Sequence, residues 1–231
     1  MAKRWLVVGL LVTVLGTTAV AQKVTVQFWY SIGGSIGDTI QELVKRFNAS
    51  QGKVDVKAQY AGGYDDAINK LLASIRTKNP PHVVQVYDIG TQILVDSQAT
   101  IPVQDLVQRD KVDLHRFLAQ PLNYYTVNGK LQSMPFNSST PLVYFNLNAL
   151  QEAGIKPKQL WTFEELADVA RKLTKRDKDG KVVRHGIALA DYGWFLEQLS
   201  YNNGFYYCNN ENGRKGRATE VNLDNPAIQK Y

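Results

Sequence analysis

The chain has 231 residues, of which 44% are hydrophobic, 21% charged and 10% aromatic. That composition excludes long disorder, collagen-like repeats and a multi-pass membrane protein, and the length suffices for one large domain or two modest ones. The formal charge is +6; setting aside Lys3 and Arg4 leaves 25 basic against 21 acidic residues, a net +4, scattered without a stripe suited to nucleic acid. The single cysteine, Cys208, excludes an internal disulfide and a CxxC metal knuckle.

The first segment reads as an address. Lys3-Arg4 is a positive start, Trp5 to Leu15 an apolar run, and Thr17-Thr18-Ala19-Val20-Ala21 a small-residue A-x-A site. The competing reading, an uncleaved anchor, wants about 20 apolar residues and thicker flanks. A signal peptide over 1–21 is therefore expected, with Gln22 first in the mature chain. No cysteine follows the site, so an exported, unlipidated protein of the periplasm is expected.

In the mature chain, Val24 to Trp29 reads as a strand and Ser35 to Asn48 as a helix, with Ile36, Ile40, Leu43, Val44 and Phe47 at helical spacing. Val54 to Ala58 alternates as a second strand, and Tyr64 to Thr77 repeats the helical pattern. Pro80-Pro81 stops it before a short buried strand, His82 to Tyr87. This β-α-β-α-β order predicts an open, mainly parallel sheet in an α/β fold. Beyond it the pattern changes. Asn128-Gly129 marks a hairpin between Tyr124–Val127 and Lys130-Leu131. Leu142 to Asn146 reads as a strand, Leu147 to Ala153 as a helix closed by Gly154, and Thr162-Phe163-Glu164-Glu165 as a capping box opening a helix to about Lys175. Asp177-Lys178-Asp179-Gly180 lacks the later ligands of a calcium loop and reads as a tight turn. Val182 to Leu189 is an expected strand and Gly193 to Asn203 an expected helix. Two α/β units are expected, over 22–120 and 121–231, with the changeover between about Ile101 and Met134.

Catalytic signals are sparse. Gly33-Gly34-Ser35-Ile36-Gly37 matches G-x-S-x-G between a strand and a helix, as a nucleophile elbow would. Such an elbow needs further strands upstream, and Ser35 lies in the first βα unit of the mature chain, with nothing before that unit. Of His82, His115 and His185, only His185 follows in the right chain order. The alternative is that the glycines permit a tight turn and bare the helix N-terminus to a polar ligand. No pair of His, Cys or carboxylates makes a defensible metal-ligand motif at i, i+4 or CxxC spacing, and there is no GxxxxGK[ST] loop. No cofactor or metal is expected.

Several segments carry a resemblance. Phe28-Trp29-Tyr30-Ser31 leading to Arg46-Phe47-Asn48 resembles the opening of the family 1 extracellular solute-binding proteins of ABC importers. Gln85 to Thr91 and Pro135-Phe136-Asn137-Ser138-Ser139-Thr140-Pro141 resemble the members that bind glycerol-3-phosphate. Tyr144-Phe145-Asn146, Ala153-Gly154, Trp161-Thr162-Phe163 and Gly193-Trp194 continue the match in order. The resemblance implies a two-lobed clamshell of the type II periplasmic binding kind, capturing a small solute and handing it to the permease, with no enzymatic step and no nucleic acid as partner. It places ligand contacts at Tyr64, Asp88 and Ser139, with Trp194 as an apolar wall and Tyr30 at a neighbouring ligand position. Asp88 stands where those proteins usually have Glu, and Tyr30 where they usually have His. Glycerol-3-phosphate, a glycerophosphodiester and a sugar stay open as ligands, and a secreted serine esterase using Ser35 is the alternative from another class. Members are about twice as long, so the C-terminal half is expected to be missing, the helix starting at Asp224-Asn225-Pro226 to be cut short, and the chain alone to bind weakly.

Overall fold

The computed structural model describes residues 22–189, 193–225 and 229. The leader expected over 1–21 and the helix expected after Asn225 lie outside the described residues, apart from 229. The chain forms two compact units, one ending at Ser138 and the other beginning at Ser139. Among the described residues no helix is long and apolar enough to cross a membrane.

The first unit is built on strand β1 (Val24–Tyr30), whose β-branched and aromatic residues suit a pleated surface. Strand β2 (Val54–Tyr60) runs parallel to it in register from Val24↔Val54 to Tyr30↔Tyr60. Strand β3 (Val83–Val84) pairs with the other edge through Phe28 and Trp29, giving the order β2-β1-β3. Parallel neighbours require crossovers, and helices α1 (Gly34–Ser50) and α2 (Tyr64–Arg76) supply them. Ile40 of α1 and Ala67, Ile68 and Leu71 of α2 are buried in the core.

The third strand is shorter than its apolar run suggests. His82 is tied to Gln27 twice, its N–H donating to the Gln27 carbonyl and its Nδ1 accepting from the Gln27 N–H at 3.0 Å. Gln85 N–H still reaches the Trp29 carbonyl, but the Gln85 side chain then turns to Ser31 and the ladder ends. The chain leaves through a 3₁₀ turn, Asp88–Gly90, straight into α3 (Thr91–Ser97). After α4 (Val103–Asp110) and α5 (Ala119–Tyr124), the Asn128-Gly129 hairpin joins β4 (Thr126–Val127) to β5 (Lys130–Leu131). Both turn residues have positive φ, 52° and 72°, as the tight turn demands. Tyr124 belongs to α5, so the expected hairpin arm is cut to two residues.

In the second unit, α6 (Leu147–Glu152) is capped by Asn146, whose side chain accepts from the Ala149 N–H. Leu150 is fully buried against Val169 and Leu173 of α7 (Phe163–Leu173), with Phe145 and Trp161 packed around them. The capping box at Thr162 forms in both directions with Glu165. Strands β6 (Lys175–Arg176) and β7 (Val182–Arg184) pair antiparallel across a turn in which the Asp177 carboxylate accepts from the N–H groups of Asp179 and Lys181. That carboxylate serves its own backbone. Helix α8 (Gly193–Asn202) follows.

Two further expected strands, both in the second unit, are not realised in full. Leu142 to Asn146 enters no ladder, and Leu142, Val143 and Tyr144 are 68%, 51% and 89% exposed. The run from Val182 to Leu189 keeps only its first three residues as strand, because β6 offers just two to pair with. A strand needs a partner as much as a pattern.

Candidate functional site

The carboxyl ends of the parallel strands β1, β2 and β3 lie at one edge of the sheet, from which the chain turns toward α1, α2 and α3. In open parallel sheets this is where ligands sit. Ser31, just past β1, is buried; its N–H donates to Gln85 Oε1 and its hydroxyl donates to the Gln85 carbonyl, each at 3.0 Å. Gln85 Nε2 in turn donates to Asn137 Oδ1 at 3.0 Å. Tyr64 is the first residue of α2.

The Tyr64 ring stacks on Tyr87, with centroids 5.1 Å apart and planes within 5°. The Tyr87 hydroxyl donates to Asp65 Oδ1 at 2.6 Å, anchoring the stack from its far side. Asp88 follows at the first position of the 3₁₀ turn, half-buried, its Oδ1 accepting from the Ile89 N–H at 3.0 Å. Burial pushes the Tyr64 hydroxyl above its ordinary pKa, against the opposing influence of the Asn137 amide and with help from the Asp88 charge. Tyr125, also half-buried, is pushed up by burial and then by the charges of Asp88 and Tyr64. One carboxylate thus stands among phenols in a partly desolvated corner. Such a set accepts hydrogen bonds from hydroxyls at Asp88 and offers a donor at Tyr64.

The first unit brings Tyr64 and Asp88 together. Tyr30 lies in the core instead: 6% exposed, its ring between those of Phe28 and Tyr60 and its hydroxyl accepting from Gln41 Nε2 at 2.9 Å. Ser139 and Trp194 belong to the second unit. Ser139 is exposed on an irregular segment, and Trp194 is half-buried at the start of α8 with its ring edge-on to Phe195. Tyr87, Tyr125, Gln85 and Asn137 were not singled out from the sequence. Asn137 lies inside the Pro135–Pro141 run and Tyr87 is next to Asp88, so proximity in sequence was the available signal for both.

The elbow reading finds no support around Ser35. The left-handed residue is Gly34, at φ +60°, while Ser35 is ordinary helix. An elbow puts the strain on the nucleophile itself. His82 is already engaged by Gln27. Among the described residues no group of three or more His, Cys, Asp or Glu is placed to hold a metal ion.

The chain is similar to known proteins of one kind. Residues 33–230 match the bacterial extracellular solute-binding protein family. The sn-glycerol-3-phosphate-binding periplasmic protein UgpB of Escherichia coli O1:K1 is 34% identical over 224 residues, covering 94% of this chain and 50% of that protein. Among solved structures, UgpB of Mycobacterium tuberculosis in complex with glycerophosphocholine aligns over 90% of this chain and 52% of its own, with TM-score 0.71 and 22% identity. CpMnBP1 with mannotriose bound aligns over 71% of this chain and 41% of its own, with TM-score 0.59 and 26% identity. The chain spans about half the length of the curated relatives it matches. Its α/β architecture is of the periplasmic-binding kind, and these relatives are binding proteins, not enzymes. With that extent of match and identity, the chain belongs to the bacterial extracellular solute-binding protein family.

Proposed function

We propose that this chain is the solute-capturing component of an ABC importer, that it binds glycerol-3-phosphate or a related glycerophosphodiester, and that it delivers this solute to the permease without transforming it. The observation that carries the reading is the pairing of Asp88, which follows β3, with Tyr64, which follows β2, in a chain 34% identical to glycerol-3-phosphate binders. Asp88 would accept from glycerol hydroxyls and Tyr64 would donate to an acceptor oxygen. The family resemblance also assigns Ser139 as a donor, Trp194 as an apolar wall and Tyr30 as a ligand position. The reading includes export to the periplasm, removal of residues 1–21 and the absence of a lipid anchor.

Tryptophan fluorescence against glycerol-3-phosphate, glycerophosphocholine and mannotriose tests it. Losing a hydrogen-bonding partner of a bound polar ligand costs about 1–3 kcal/mol, so Asp88→Ala should weaken the response to the glycerol phosphates about tenfold or more. A response to mannotriose alone would support the sugar reading that the likeness to CpMnBP1 suggests. Ester hydrolysis that disappears in Ser35→Ala would replace transport with catalysis.

A further inference from the structure

We propose that the hydrogen bond from Tyr87 to Asp65 is a lock that sets the Tyr64 ring in place before the solute arrives. Asp65 and Tyr87 are then positioning residues, acting through Tyr64. The proposal rests on the functional reading above and deepens it.

Tyr64 stands where the local backbone holds it poorly. It opens α2 directly after Gly62 and Gly63, and Gly62 sits at φ +100°, a conformation that glycine reaches freely and other residues rarely adopt. Gly63, at the cap position, has no side chain with which to tie down the first turn. Tyr87, three residues past β3, supplies a hold from outside the helix. Its ring lies parallel to that of Tyr64, with centroids 5.1 Å apart and planes within 5°. Its hydroxyl donates to Asp65 Oδ1 at 2.6 Å, on the residue that follows Tyr64. Ring and hydroxyl thus grip two consecutive residues of one helical turn, which neither contact does alone. The Tyr87 ring is itself seated over Gly90, where a Cβ would come within 3.1 Å of it. Tyr87 also directly precedes Asp88, so one side chain ties the turn that carries the donor to the turn that carries the acceptor. A side chain already ordered costs a solute less on binding than one it must immobilise.

Ring-proton NMR of the full chain tests the lock, with Tyr64→Phe identifying the Tyr64 signals among the 12 tyrosines. Parallel rings shield each other's protons, so these signals report the stack without any solute. Asp65→Ala should move them toward those of an unstacked tyrosine. Asp65→Ala and Tyr87→Phe should each weaken glycerol-3-phosphate binding about threefold to tenfold. Asp65→Asn keeps an oxygen that accepts from the phenol, so it should restore the stacked signals and bring affinity to within about twofold of the wild type. Asp66, the other acid of the first turn, lies beside Gly62 instead. Asp66→Ala removes the same charge from the helix N-terminus and should leave signals and affinity unchanged. The double variant Asp65→Ala/Tyr87→Phe should bind no more weakly than the weaker of the two single variants, because both break one contact. Tyr64 signals unmoved in Asp65→Ala, an equal loss of affinity in Asp66→Ala, or a further loss in the double variant would overturn the lock. A wild-type chain that ignores glycerol-3-phosphate would overturn the functional reading, and the ring signals of the solute-free chain would still decide the lock.

Discussion

Asp88 does two jobs with one carboxylate. It accepts from the Ile89 N–H at the start of a helical stretch, and its charge reaches the hydroxyls of Tyr64 and Tyr125. Asp88→Asn keeps the shape and removes the charge, so the titration midpoints of both tyrosines should fall; midpoints that stay put would separate Asp88 from this cluster. Gly90 sets the same corner from beneath. A Cβ there would lie 2.3 Å from Ile68 Cδ1 and 3.1 Å from the Tyr87 ring. Ile68 is buried, so it has little room to yield. Gly90→Ala should displace Tyr87, loosen its stack on Tyr64 and weaken solute binding at least severalfold, and unchanged binding would show that the stack does not orient Tyr64.

At the scale of elements, the second unit hangs on a few identifiable contacts. Leu150 has no exposed surface, and Leu150→Ala should cost about 2–5 kcal/mol in denaturant unfolding. Thr162→Ala removes one half of a complete capping box and should cost about 1 kcal/mol. Glu152 ties the end of α6 to the β6–β7 hairpin by accepting from Lys175 and from Arg184 Nη1. The hydrogen bond from Lys175, then that from Arg184, pulls its carboxyl down from 4.5 to about 2. A depressed carboxylate stabilises the fold above its unfolded pKa, so this link is intact above about pH 4.5 and is lost as the pH falls toward 2. The group is solvent-exposed, so salt should weaken the link. Carboxyl-carbon NMR should show the Glu152 midpoint rising in Lys175→Ala; a midpoint still near 2 would assign the shift to Arg184 alone.

Over the whole molecule, legibility followed locality. The helices α1, α2 and α7 were readable because periodicity, caps and turn residues are all short-range signals. Strands β1 and β2 were readable because both are long and strongly patterned. Leu142 to Asn146 misled, since its apolar run is a strand only if another strand pairs with it, and a pattern cannot report the partner. The shortening of β3 had the same origin: the Gln85 side chain leaves the ladder for Ser31, 54 positions earlier in the sequence. Tyr64 and Asp88 came from family resemblance; Gln85 opens the Gln85–Thr91 run, but its bond to Ser31 is visible only in the fold, and Tyr125 carries no motif and emerges only when the chain folds it near Asp88.

The central claim is that the Tyr64–Asp88 corner of the first unit takes the solute. Amide and tyrosine-ring NMR of the chain from Gln22 onward, titrated with glycerol-3-phosphate, tests it most directly. The expected result is a saturable set of shifts, largest at Tyr64, Tyr87, Asp88, Tyr125 and Asn137, that Asp88→Ala abolishes or weakens about tenfold. Shifts centred elsewhere and indifferent to Asp88→Ala, or none at all, would contradict the account.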